Sequence, residues 1–418
     1  MYRKAFIRTV LLLSFTCLSF SQQAKTGKAT APKSKPAAKT SASAARKPQA
    51  ATAVKSTSSV KTSARAAPSR TVRSKSGPVR PAVHRRKIVR GGPWREPTFA
   101  DSTDGDWIEG EDYQVRRAAV EALGPYNGTV VVADPYTGRL LALVNQKLAL
   151  KSGFQPCSTI KVVAGLAALS EGLIERETPI RLTGRTRMTL TEALAVSNNP
   201  YFAVLGEKLG FDRVNYYARL FGLGERAGLN IDGESAGIFP AQPSTLGVGM
   251  MTSFGSGISL TPLELAAFLG AIANGGTLYY LQHPKSREEA SQFIPRVKRH
   301  LDIGRWIPDI RPGMIGAVEY GTARRAGVDN DDPILGKTGT CTDERSPTHL
   351  GWFGSFNDVG RNKLVVVVLL TGGKPVNGPV ASGVAGAVYR NLSQQNYFAQ
   401  ARRISPAALV STQACCAR

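Results

Sequence analysis

The stretch GFQPCSTIKVVAGLAALSEG, residues 153–172, sets a serine, Ser158, three positions before a lysine, Lys161, at the head of an apolar run. Val162, Val163, Leu166 and Leu169 recur at roughly helical spacing, which predicts a helix with one face in a core. Residues three apart on a helix lie one above the other, so the Lys161 amine comes within reach of the Ser158 hydroxyl. Burial disfavours the ammonium form, and a neutral amine beside a hydroxyl is a base next to a nucleophile. Alone, the pair reads more readily as a lysine whose stem packs while its head reaches solvent.

On either side of this helix the pattern is different. In GTVVVADPYTGRLLALVNQ, Thr129–Ala133 and Leu140–Val144 are strand-like runs joined by the turn residues 134–138. HLGWFGSFNDVGRNKLVVVVLLTGG supplies two more strands around a turn from Asn357 to Asn362. Between them the signals are helical. Thr189 and Glu192 form a capping box before Ala193–Val196, and Thr261 and Glu264 form another, with Pro262 at the first helical position and Asn274-Gly275-Gly276 as the stop. Strands near both ends with helices between predict an α/β (α+β) fold: an antiparallel sheet flanked by helices, closed by the two ends of the domain, with an all-helical lobe inserted.

The chain has 418 residues and a net charge of +24, but its composition is uneven. Residues 1–23 read as a signal peptide or short signal anchor: Arg3, Lys4 and Arg8 precede an apolar run from Thr9 to Phe20, shorter than the about twenty residues of a membrane span. Cys17 has poor lipoprotein flanks in Phe15 and Thr16. Residues 24–110 are expected to form a tether, disordered and basic to about Arg90, too poor in apolar residues to offset the entropy of ordering. The stretch to about Arg90, which has no acidic residue, accounts for most of the net charge. It lacks interleaved aromatics and follows an export signal, which argues against nucleic acid and for anionic envelope polymers as its partner. The globular domain is expected over 111–400 and a tail over 401–418, placing the protein outside the cytoplasm, in the periplasm or on the outer face of the cytoplasmic membrane.

Two further motifs supply chemistry. AVSNNPYF puts Ser197 and Asn199 in an expected loop between a helix ending near Val196 and one beginning near Pro200. ILGKTGTCT, residues 334–342, puts Lys337, Thr338, Gly339 and Thr340 on an expected strand, where a glycine would let a ligand backbone approach the edge. Each is weak alone; in this order they are specific. His84, His283, His300 and His349 sit in no metal-ligand spacing, so no metal site is read, and Gly255-Ser256-Gly257 is a turn rather than a phosphate loop.

Ser158-x-x-Lys161, Ser197-x-Asn199 and Lys337-Thr338-Gly339 together resemble the penicillin-binding transpeptidase family, of which Ser-x-x-Lys with Lys-Thr-Gly is a signature. The likeness covers roughly residues 126–392 and includes DGESAGIFP, FGSGISLTPLELAAFLGAIANGG and GMIGAVEYGTARRA. It implies a transpeptidase or serine β-lactamase-like fold and no cofactor. It makes Ser158 the acylated nucleophile and Lys161 its base, with Ser197 relaying a proton to the leaving amine and Asn199 holding the substrate amide. Lys337, Thr338 and Thr340 would grip a substrate carboxylate, and the Ser158 and Thr340 N–H groups would form the oxyanion hole. The implied substrates are peptidoglycan stem peptides ending in D-Ala-D-Ala, and β-lactams are the implied covalent inhibitors.

Class D β-lactamases carry valine where this chain has Asn199, which favours the penicillin-binding type over a class D-like enzyme. Glu234 is weakly placed as a water-activating base, and a non-turning-over β-lactam sensor would need a signalling span. Neither a glycosyltransferase module nor a folded pedestal is expected before the domain, so a tethered D,D-transpeptidase or D,D-carboxypeptidase is the reading. Cys157 and Cys341, next to Ser158 and Thr340, resemble the bridged pair of some class A carbapenemases and are expected to form a disulfide, the alternative being two buried thiols.

Overall fold

The run LVVVVLL, residues 364–370, shows why the sheet is central. The computed structural model describes residues 94–399 except Thr183, 329–331 and 359–361. The export segment, the tether up to residue 93, the tail with Cys415 and Cys416 and part of the Asn357–Asn362 turn lie outside these residues. Five strands form the main sheet: β1 (Gly128–Ala133), β2 (Leu140–Val144), β3 (Ile334–Thr342), β4 (His349–Asn357) and β5 (Val365–Gly372). Their order is β2-β1-β5-β4-β3, and every neighbouring pair is antiparallel. The amino-terminal hairpin therefore zips onto the carboxy-terminal strands through β1 and β5, with Val130 opposite Val368.

A strand's side chains alternate between faces, so a wholly apolar strand needs cover on both. β5 has it. Val365, Val367 and Leu369 join the core under the helical lobe, whereas Val366, Val368 and Leu370 join a second core. That second core is closed by α1 (Tyr113–Leu123) and α8 (Gly378–Gln394). The helical lobe holds α2 (Lys161–Ser170), α3 (Leu190–Ala195), α4 (Asn199–Leu220), α5 (Val248–Phe254), α6 (Pro262–Ala273) and α7 (Ile307–Glu319). Both expected capping boxes are present, at Thr189/Glu192 and Thr261/Glu264.

Two expectations need correction. Residues 94–110 are not tether: the Arg95 N–H donates to Pro347 O at 2.9 Å, and Asp106 pairs with buried Arg116 at 2.6 Å while accepting the Asn145 and Gln146 N–H groups. The buried Arg116 requires that carboxylate, so the ordered region starts before residue 111. Asn199 is not a loop residue either. It is the first residue of α4, because Asn198 takes the N-cap and accepts the Tyr201 N–H at 2.8 Å.

Candidate active site

Ser158 lies in a 3₁₀ turn, Cys157–Ile160, that runs directly into α2, with Lys161 as the first residue of that helix. The turn is held from three directions. Gln155 O accepts from the buried Trp352 indole at 2.9 Å, Gln155 N–H donates to Asp343 at 3.1 Å, and the Gln155 amide donates to Phe254 O at 3.1 Å. Cys157 adopts φ 51°, unusual for a non-glycine residue, and is bonded to Cys341 with Cα atoms 5.6 Å apart. Over-determined surroundings of this kind are what keep such a backbone in place.

The Lys161 amine is fully buried and sits 2.8 Å from Ser158 Oγ, 2.9 Å from Ser197 O, 3.1 Å from Ser197 Oγ and 2.5 Å from Asn199 Oδ1. Burial lowers its pKa from 10.5 to about 7. Ser197, in the short loop between α3 and α4, has φ 59°, and its hydroxyl is also 2.8 Å from the Lys337 amine. One hydroxyl thus stands between two buried lysines. Burial first, and then the neighbouring Lys161, push the Lys337 ammonium well below its ordinary range.

β3 is an edge strand of the main sheet, and its pleat divides the motif. Lys337 and Cys341 reach toward the lobe, where they meet Ser197 and Cys157. Thr338 and Thr340 meet other partners: Thr338 Oγ1 lies 2.5 Å from Thr322 Oγ1, and Thr340 Oγ1 accepts the Gly378 N–H at 2.8 Å. Ser158, Lys161, Ser197, Asn199 and Lys337 are thus brought into one linked set of contacts, while Thr338 and Thr340 lie on the same strand with Thr322 and Gly378 as their partners.

A model of the penicillin binding protein transpeptidase domain matches residues 128–394. The chain belongs to that family. Among relatives of this transpeptidase domain, stage V sporulation protein D of Bacillus subtilis is 28% identical over 310 residues, covering 65% of this chain and 48% of that protein. Peptidoglycan D,D-transpeptidase FtsI of Escherichia coli is 29% identical over 247 residues, covering 49% of this chain and 42% of that protein. The chain spans about half the length of the curated relatives it matches. The fold is shared with Pseudomonas aeruginosa PBP2 in complex with WCK 5153 (TM-score 0.58, 23% identity, 71% and 80% of the two chains). It is shared as well with the transpeptidase domain of Burkholderia pseudomallei penicillin-binding protein 3 (TM-score 0.57, 22% identity, 68% and 93%).

Two residues of this transpeptidase domain have structural roles, the first of them a weak catalytic candidate and the second expected to make room for a ligand. Glu234, weighed as a water-activating base, is buried, and its carboxylate accepts the Ala227 and Gly228 N–H groups at 2.9 and 3.0 Å, bracing a loop. Gly339 gives room to the protein's own backbone: a Cβ there would lie 2.9 Å from Pro156 O and 3.2 Å from both Cys157 Cβ and Trp352 Cβ. Gly339→Ala must push the disulfide-held turn away from β3. Its expected cost is about 1–3 kcal/mol in thermal unfolding; an alanine variant with unchanged melting would show that the turn yields freely. Thr322 and Gln155 escaped the sequence reading, although both stand inside quoted family-like or site segments.

Proposed function

We propose that this domain is an acyl-serine D,D-transpeptidase or D,D-carboxypeptidase acting on the D-Ala-D-Ala ends of peptidoglycan stem peptides, and that β-lactams acylate it. The observation that carries this reading is the set of contacts at the Lys161 amine. A neutral amine has two N–H groups and one lone pair. Ser197 O and Asn199 Oδ1 can only accept, so they take the two hydrogens and leave the lone pair for the Ser158 hydroxyl proton. Lys161 is thereby oriented as a base, and burial makes its neutral form available near neutral pH.

In the proposed reaction Ser158 Oγ attacks the carbonyl carbon of the penultimate D-Ala while Lys161 takes its proton. The Ser158 and Thr340 N–H groups stabilise the oxyanion. Collapse breaks the C–N bond, and the proton reaches the leaving amine through Ser197, whose hydroxyl touches both lysines. An acceptor amine or water then releases the acyl group by the reverse sequence. The substrate carboxylate would raise the pKa of Lys337, opposing the lowering that burial imposes on it. Acyl transfer to an amine is supported by relatives named as peptidoglycan D,D-transpeptidases. Export to the periplasm or outer membrane face is part of the same proposal; among the described residues no helix is long and apolar enough to cross a membrane.

Intact-mass kinetics with benzylpenicillin across pH tests it. A long-lived adduct on Ser158 is expected. The rate of its formation should climb as pH rises through about 7, because the base is the deprotonated Lys161 amine. Rapid turnover would mean a β-lactamase, and a rate independent of pH between 5 and 9 would remove Lys161 as the base.

A further inference from the structure

We infer that Thr322 is a positioning residue for carboxylate recognition, setting the direction in which the Thr338 hydroxyl offers its proton. The inference rests on the acyl-transfer reading above and extends it to a residue in the GMIGAVEYGTARRA segment, to which no role has yet been given.

The corner Gly321-Thr322 follows α7 and joins the two walls of the cleft. On one side, Thr322 N–H donates to Ala195 O at 3.2 Å, two residues before Ser197. The approach is close: a Cβ on Gly321 would lie 2.1 Å from Ala195 O, so only glycine lets the corner lie against that wall. On the other side, Thr322 Oγ1 lies 2.5 Å from Thr338 Oγ1 on β3. Thr322 is thus bonded by its backbone to the segment carrying Ser197 and by its side chain to the strand carrying Lys337.

Two hydroxyls in contact carry two protons, only one of which lies between the oxygens, and either can be the donor. A carboxylate accepts only. When it arrives beside Thr338, the Thr338 proton must turn toward it, and the pair stays satisfied only if Thr322 now donates to Thr338 Oγ1. Thr322 supplies that proton because its position is fixed by the Ala195 contact. Thr340 is prepared in the same sense from another direction: its oxygen already accepts the Gly378 N–H at the start of α8, which leaves its own proton for the ligand. Chains of hydroxyls that donate in one direction polarise each other toward the anion. The two threonines of the motif are therefore both set up as donors, one by Thr322 and one by the α8 backbone.

The consequence is a requirement for an anion in the ligand that resides in binding and not in the chemical step. The test measures the initial dissociation constant and the acylation rate constant separately for benzylpenicillin and for its methyl ester, which has no carboxylate. Thr322→Val keeps the shape and removes the hydroxyl; Thr322→Ser restores the hydroxyl without the methyl group. For benzylpenicillin, Thr322→Val is expected to weaken initial binding about 3- to 10-fold, the size of one hydrogen bond, with the acylation rate constant unchanged. Thr322→Ser should return binding to the wild-type value, and the methyl ester should bind wild type and Thr322→Val alike. Equal losses for acid and ester, a fall in the acylation rate constant alone, or no change with either ligand would overturn the role of Thr322. Wild-type protein that forms no Ser158 adduct with benzylpenicillin would overturn the acyl-transfer reading itself, which separates the two failures.

Discussion

Ser158→Ala is expected to reduce covalent labelling by a fluorescent penicillin to background while the protein keeps its fold. The hydroxyl is half-buried and bonded to the Lys161 amine, and it is a small group, so its removal opens no cavity of consequence. Lys161→Ala should slow labelling about 10²- to 10⁴-fold, the usual worth of a general base. It also strips Ser197 O and Asn199 Oδ1 of their donor, which removes the buried link holding the α3–α4 loop. The two variants therefore separate: the serine variant should melt like wild type, and the lysine variant should change in melting as well as in labelling. Stoichiometric labelling of Ser158→Ala would end the mechanism proposed here.

Loss of the Cys157–Cys341 bond is expected to have the largest effect on stability. The bond closes a loop with a sequence separation of 184 residues. The chain-entropy model assigns such a loop about 5 kcal/mol, an upper figure because unfolded-state structure and native strain reduce it. For a domain of this size that corresponds to a fall of roughly 10 °C in Tm. Cys157 is fully buried, so the double variant Cys157→Ala/Cys341→Ala is preferable to serine, which would bury a hydroxyl. The effect should extend to chemistry, because the bond sits one residue from Ser158 and one from Thr340, whose N–H groups share the proposed oxyanion hole. Acylation by benzylpenicillin is expected to slow in the double variant and in wild type treated with reductant under native conditions. Free alkylation of both thiols in protein made under oxidising conditions would remove the bond, and an unchanged Tm would remove its energetic role.

Much of the molecule was legible along the chain. The strands β1, β2 and β5 follow from short apolar runs between turn residues, and α3 and α6 from capping boxes whose partners stand three residues apart. Ser158 and Lys161 pair for the same reason, a helical period that fits within one turn. Each of these signals is local. The order of the three motifs carried the family because their residue types are rarely strung together by chance, and the fold followed from strands at both ends of a helical middle.

What tertiary structure decided lies between residues far apart in the chain. Ser197 and Lys337 meet across 140 positions, which puts one hydroxyl between two buried lysines; burial first, and then the Lys161 brought beside it, lower the Lys337 pKa. Gly339 reads locally as room for a ligand, yet its missing side chain is occupied by Pro156 and Cys157, brought there by the Trp352 and Gln155 contacts and the disulfide. Thr322 has no local mark at all, since its function depends on α7 delivering the Gly321-Thr322 corner between Ala195 and Thr338. Residues 94–110 show no helical or strand period along the chain, and it is Asp106 neutralising Arg116 that ties them into the domain. Periodicity, caps and turns act over a few residues and can be read in order; packing fixes which distant groups share a cleft, and with it their protonation and their direction of hydrogen bonding.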